Sequence, residues 1–235
     1  MQDFSDAFQL AFSLALSGDP DLLEIIWLSL QVSLSAVVIS CLLGLPLGAL
    51  IAISRFRGRT ALLVLVNALM GLPPVVVGLL VYLMLSNAGP FGAFQLLYTP
   101  TAMIIAQTLL ITPIVTALSR EVIEQLHNDY AEQFRSLGVP RSTEALALLW
   151  DARYNLLTVA LAGFGRAIAE VGAVIMVGGN INHLTRVMTT AIALETSKGD
   201  LALALALGMV LILIALTVNA LVMTLRLSAA RQAYA

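Results

Sequence analysis

Of the 235 residues, 60% are hydrophobic and 11% charged, with a mean hydropathy of +0.95; soluble domains carry about a quarter charged residues, so this is an integral membrane protein. The net charge of -2 offers no basic surface to nucleic acid, the single lysine (Lys198) excludes a Gly-Lys-Ser/Thr phosphate loop, and the single cysteine (Cys41) excludes an internal disulfide or a cysteine metal cluster. His127 and His183 stand far apart in sequence, and neither Gly-x-Ser-x-Gly nor His-Glu-x-x-His occurs, so no catalytic residue and no metal ligand is assigned.

The chain begins with Phe4, Phe8 and Phe12 at four-residue spacing, which predicts a short interfacial helix over 1–18, ended near Gly18. This stretch lacks the basic start of a secretory signal, and its apolar run is too short to span. Five spans follow, judged against the ~20 apolar residues that cross ~30 Å of hydrocarbon. They cover about 25–53, with Gly44, Pro46 and Gly48 near the end; 61–85, with Pro73 and Pro74 near the middle; 101–118; 156–177; and 201–225. All belong to a single transmembrane domain over 1–235.

Pro73 and Pro74 remove backbone donors, which is tolerated at depth only where protein or a water cavity meets the freed carbonyls. They mark either a hinge on a translocation path or a point of close helix packing. After the third span, whose apolar stripe continues through Val122 and Leu126, comes the longest polar stretch, a loop over about 120–155. Within it Tyr130, Phe134 and Leu137 fall at helical spacing, Gly138 stands where a left-handed cap would end one helix, and Pro140 opens the next. Such an elbow either joins two spans or gives another protein a surface to push on.

In the fourth span Arg166 and Glu170 are four residues apart, which puts them on one face of a continuous helix, where they should pair. The pair either lends positive field to an anion path or locks the span against its neighbours. At the outer end Gly178, Gly179, Asn180, Asn182, Thr185, Arg186, Thr189 and Thr190 form a polar cluster. That cluster is either a gate or a solvated loop with a short helix around 187–194.

Orientation follows from the cations, because loops rich in Lys and Arg stay in the cytoplasm. Arg55, Arg57, Arg59, Arg120, Arg135, Arg141, Arg153, Arg226 and Arg231 fall in alternate loops and the C-terminal segment, nine in all, against Arg186 and Lys198 on the other side. The N-terminus is expected outside, the C-terminus inside, and the elbow in the cytoplasm.

At this point the sequence resembles a known family. The elbow is similar to the Glu-Ala-Ala loop of ABC-importer permeases: aligned on Gly138, the Glu falls on Glu132, Gln133 and Phe134 replace the alanines, and Trp150-Asp151 replaces the closing Leu-Pro. LPPVVVG at 72–78 and GPFG at 89–92 resemble the molybdate, tungstate and sulfate permeases, and GRAIAEVGAVIMVGGNI at 165–181 with TRVMTTAIALETSKGD at 185–200 most resembles the tungstate type. The resemblance implies an all-α type I ABC importer permease fold with five transmembrane helices, in a prokaryotic inner membrane. It implies two copies of the chain, two cytoplasmic ABC ATPase subunits that carry ATP and Mg, and an extracytoplasmic oxyanion-binding protein. By analogy Glu132, Gly138, Val139, Pro140, Arg141 and Ser142 contact the ATPase. Pro73, Pro74, Arg166, Glu170, Gly179, Asn180, Thr185, Arg186 and Thr189 are the candidates for the translocation path or gate. Competing readings are a permease for another oxyanion such as sulfate, and a self-sufficient ion-coupled carrier.

Overall fold

The computed structural model describes residues 9, 12, 13 and 18–233, with side chains to Thr224. Most of the interfacial helix expected over 1–18 therefore lies outside the described residues. The described residues contain helices and no strand: α1 (Pro20–Ile53), α2 (Arg59–Met70), α3 (Pro74–Leu85), a short 3-10 turn (Gly92–Phe94), α4 (Pro100–Ser136), α5 (Arg141–Asp151), α6 (Arg153–Ile168), α7 (Gly172–Gly178), α8 (Met188–Lys198) and α9 (Leu201–Ala233).

The two longest helices start in the same way. Asp19 accepts the N–H of Asp21 at 2.8 Å ahead of Pro20, and Thr99 accepts that of Ala102 at 3.4 Å ahead of Pro100. Each is a side-chain cap followed by a proline at the first helical position, where its missing donor costs nothing. At 34 and 37 residues these helices run for about 50 Å, well beyond the hydrocarbon. With α9 they are, among the described residues, the three single helices long and apolar enough to cross a membrane, and the number rises to five if two bent pairs, α2 with α3 and α5 with α6, each count as one span. The second and fourth expected spans are thus both interrupted: 61–85 at Gly71–Pro73, and 156–177 at Ala169–Val171.

The sequence reading treats 1–235 as one domain, whereas the backbone contacts divide the chain into two compact units. One is drawn from Met1–Ser35, Pro73–Gln107 and Ala167–Asn219, the other from Ala36–Leu72, Thr108–Arg166 and Ala220–Ala235. In the first, α3 lies against α7 with almost no side chain between them. A Cβ on Gly78 would stand 2.8 Å from Ala173 Cα, and one on Gly172 would stand 2.7 Å from Val75 Cγ2. Small residues at such a crossing let two backbones approach and gain dispersion contact that the bilayer cannot supply.

In the second unit the same device joins the later part of α1 to α4. A Cβ on Gly44 would stand 2.8 Å from Val115 Cγ1, and one on Gly48 would meet Ser119 Oγ and stand 2.7 Å from Thr116 O. Ser119 Oγ donates to Gly44 O at 3.4 Å across the contact. Close by, Glu124 gathers Arg59 and Arg120, each at 2.5 Å. Much of the remaining apolar surface is exposed, including Trp27, Leu42, Val64, Leu80 and Leu213, as befits helices whose solvent is lipid.

Candidate functional site

The elbow in the second unit is built by local rules. Gly138 has φ +61°, its N–H donates to Arg135 O at 3.2 Å, and the next N–H, of Val139, donates to Phe134 O at 3.2 Å. These two bonds define a Schellman termination, which meets carbonyls that the end of α4 would otherwise leave orphaned. Pro140 is then the N-cap of α5 at φ -67° and ψ 147°, and its carbonyl accepts the N–H groups of Thr143 and Glu144 at 3.0 Å.

The α5 helix buries Glu144, Ala145 and Leu148. His127 Nδ1 lies 2.6 Å from Glu144 Oε1, and the negative charge of Asp151 raises the Tyr130 phenol above its ordinary range, so α4 meets both ends of α5. Tyr130 and Phe134 pack edge to face with centroids 6.2 Å apart. At Ala152 the chain turns 77° into α6. There Arg153 donates to Trp150 O at 2.7 Å, and its guanidinium covers the rings of Trp150 at 4.9 Å and Tyr154 at 4.5 Å. The Leu-Pro absent from this position is thereby replaced by a tied corner, in which Arg153 holds Trp150.

What α5 does not bury is as informative. Leu146 is 68% exposed, Trp150 72% and Leu137, just before Gly138, 74%. Glu132, Arg141 and Ser142 are exposed and Val139 is half-buried. Behind the turn lies an open cleft of about 400 Å³ lined by Arg55, Arg135, Arg141, His127 and Glu144 among others. The structure thus gathers the six residues singled out for ATPase contact onto one turn and its flanks.

The fourth expected span is not one continuous helix through Glu170. The α6 helix stops at Ile168, and Ala169–Val171 is not helical, so helical spacing alone does not set how Arg166 and Glu170 are arranged. Neither side chain is without an interaction. Glu170 is 4% exposed, and its Oε1 accepts the N–H of Ala173 at 3.0 Å, which makes it the cap of α7. The interrupted backbone is met from elsewhere: Gln107 Nε2 donates to Ala167 O at 3.1 Å, and Thr189 Oγ1 donates to Glu170 O at 2.8 Å. Replacing Glu170 with alanine should remove about 1 kcal/mol of capping and lower the apparent Tm by about 2–4 °C, while glutamine, which keeps an acceptor, should cost less. A thermal ramp read by size-exclusion chromatography checks this, and equal losses for the two variants would show that the charge, not the cap, sets the stability.

The other interruption lies beside this one. Pro73 and Pro74 occupy the N-cap and first position of α3, where proline breaks no helical bond, and Pro73 O accepts the N–H groups of Val76 at 3.0 Å and Val77 at 3.2 Å. Because Val75 faces Gly172 and Gly78 faces Ala173 and Met176, α3 and α7 run parallel with their N-terminal ends side by side.

The outer cluster is ordered by its hydroxyls. Thr185 Oγ1 donates to Gly178 O at 2.5 Å and accepts the N–H of Ile181 at 3.0 Å. Gly179 ends α7 at φ +72°, with Asn180 also left-handed at +53°. The short helix expected over 187–194 is α8, whose first N–H, of Met188, donates to Ser29 Oγ at 2.8 Å. Arg186 donates to Asn182 Oδ1 at 2.9 Å. Asp21, Glu24 and His183 bring potential metal-ligand atoms within 4.8 Å of one another, all exposed. The His183–Glu24 bond, 2.8 Å long, accounts for this grouping and raises the histidine above its ordinary range. That pair therefore stabilises below the unfolded histidine pKa and is lost as pH rises through the folded one.

Sequence reasoning missed Gln107, Ser29, His127 and Tyr130 as partners. A lone glutamine in an apolar span was the one available signal, since an amide at that depth needs a buried partner.

The family described as "Binding-protein-dependent transport system inner membrane component" matches residues 44–228. A "Probable anion ABC transporter permease protein" of Haloferax volcanii is 41% identical over 185 residues, covering 77% of this chain and 80% of that protein. A "Tungstate uptake system permease protein TupB" of Peptoclostridium acidaminophilum is 39% identical over 226 residues, covering 96% and 99%. A protein of the same name in Campylobacter jejuni is 36% identical over 197 residues, covering 84% and 82%.

Proposed function

The chain belongs to the family of binding-protein-dependent transport system inner membrane components, and from that premise we propose that it forms the membrane path of an ATP-driven tungstate importer. It is a multi-pass membrane permease subunit, and chemistry on ATP belongs to a partner. Tungstate is the cargo suggested by two relatives that carry that name over most of both chains, with molybdate as the neighbouring choice.

In this reading two copies pair, with five spans each, N-terminus outside and C-terminus inside. An extracytoplasmic binding protein delivers the oxyanion, and two cytoplasmic ATPase subunits bind ATP and Mg. The observation that carries the coupling role is the elbow: a helix packed against α4, with Leu146 and Trp150 exposed. Glu132, Gly138, Val139, Pro140, Arg141 and Ser142 form the contact. ATP-driven closure of the ATPase pair moves the two elbows, and the spans follow by a shift between inward-open and outward-open populations.

The path runs past the paired interruptions. Pro73, Pro74, Glu170 and Thr189 lie at the adjoining N-terminal ends of α3 and α7, two interrupted helices of the kind from which transporters build their substrate paths. Gly179, Asn180, Thr185 and Arg186 form the outer gate.

The test is uptake of labelled tungstate, molybdate and sulfate into proteoliposomes that hold this chain with its ATPase and binding protein. Tungstate should saturate at the lowest concentration, and uptake should require ATP. Preference for sulfate would sink the cargo assignment, and movement driven by an ion gradient with no ATPase present would sink the importer itself.

A further inference from the structure

Beside the 169–171 break, the first unit has a cavity of about 10 Å³ whose polar lining is Ser29, Ser33, Gln107, Glu170 and Thr189. Gln107 is 3% exposed. Its Nε2 donates to Ala167 O at 3.1 Å, and this bond fixes the amide, because a flipped amide would set one carbonyl oxygen against another. The remaining atom, Oε1, is a buried acceptor with no donor among the described residues.

None of the neighbouring groups donates to it. Ser29 Oγ donates to Ile25 O at 2.6 Å and accepts from Met188 N–H at 2.8 Å. Thr189 Oγ1 donates to Glu170 O at 2.8 Å. A carboxylate donates nothing, and Ser33 makes no bond to Gln107 Oε1. The hydrogen that this oxygen requires must come from a molecule outside the chain, and size selects which. A cavity of about 10 Å³ admits one water and nothing larger, and water needs two to four polar partners, which Gln107, Glu170 and the lining hydroxyls offer.

We propose that this cavity is a resident-water site. The water donates one hydrogen to Gln107 Oε1 and the other to an oxygen of Glu170 or Ser33. It links α1, α4 and the break in the fourth span, and completes the set of groups that meets the interrupted backbone at depth. The site does not depend on which oxyanion is carried or on the coupling role of the elbow.

Two measurements on the full transporter complex test it. A cryo-EM map at a resolution that shows other buried waters should show a peak within hydrogen-bond distance of Gln107 Oε1; an empty cavity there overturns the proposal, as does a peak caged by oxygens at metal-ligand distances. Ser33→Thr places a methyl group in the cavity, so the sign of its effect discriminates. Displacing a bonded water should lower the apparent Tm by about 2–4 °C, whereas filling an unoccupied void should leave it unchanged or raise it, and the latter result counts against the site. Should Ser33→Thr not fold, the wild-type map alone decides.

Discussion

A Gly138→Val substitution is expected to leave the chain folded and inserted while reducing ATP-driven uptake to less than about a tenth. Gly138 adopts φ +61°, and a Cβ there would meet nothing within 4 Å. Sterics with neighbours are therefore irrelevant, and the whole effect lies in the backbone. A left-handed L-residue costs about 1–2 kcal/mol, and a β-branched one is worse. The cheapest relief is to return φ to negative values, which breaks the Val139–Phe134 and Gly138–Arg135 bonds and re-aims α5 away from the direction set by the turn.

Asparagine enters the left-handed region readily, so Gly138→Asn should keep most of the uptake. The comparison is made by transport per copy of folded complex, with ATPase co-purification measured alongside. Wild-type uptake by the valine variant, or equal loss in both variants, would remove the turn from the coupling mechanism.

Gly48→Val should instead abolish the folded protein. The new Cβ would fall on Ser119 Oγ, 2.7 Å from Thr116 O and 2.9 Å from Arg120 N, and two of those three atoms are backbone. No rotamer change clears them, so α1 and α4 must separate and give up the contact that Gly44 and Gly48 make possible. Overpacking by a single methylene already costs about 1–3 kcal/mol, and valine adds three heavy atoms at an already closed point. Gly208 is the control, because a Cβ there meets nothing within 4 Å; Gly208→Ala should be neutral or slightly stabilising, since alanine is the better helix former. Detergent extraction and size-exclusion yield separate the two, and a normal yield for Gly48→Val would show that the α1–α4 contact is looser than drawn here.

These two glycines also show which parts of the structure were legible in the sequence. The elbow could be read because its rules are local: Tyr130, Phe134 and Leu137 give the helical period, Gly138 the left-handed cap, and Pro140 the restart, all within eleven residues. The break after Ile168 could not. Ala169, Glu170 and Val171 are compatible with helix, and the groups that make an interruption affordable at depth, Gln107 and Thr189, come from 60 and 19 positions away. Pro73-Pro74 announced its own interruption, but not that α3 would restart beside α7, because that depends on Gly78 meeting Ala173 across 95 residues of chain. His127 and Glu144 carry no pattern between them in the sequence, and the turn at Gly138 alone brings them together.

The corner at Ala152 has an optical consequence. The chain contains two tryptophans: Trp27 in α1, and Trp150, which is 72% exposed beneath the Arg153 guanidinium. With Trp27 replaced by phenylalanine, the only indole emission would come from the elbow. Its wavelength would follow whether that surface faces water or protein, so the feature assigned to the ATPase contact carries its own fluorophore and needs no external dye.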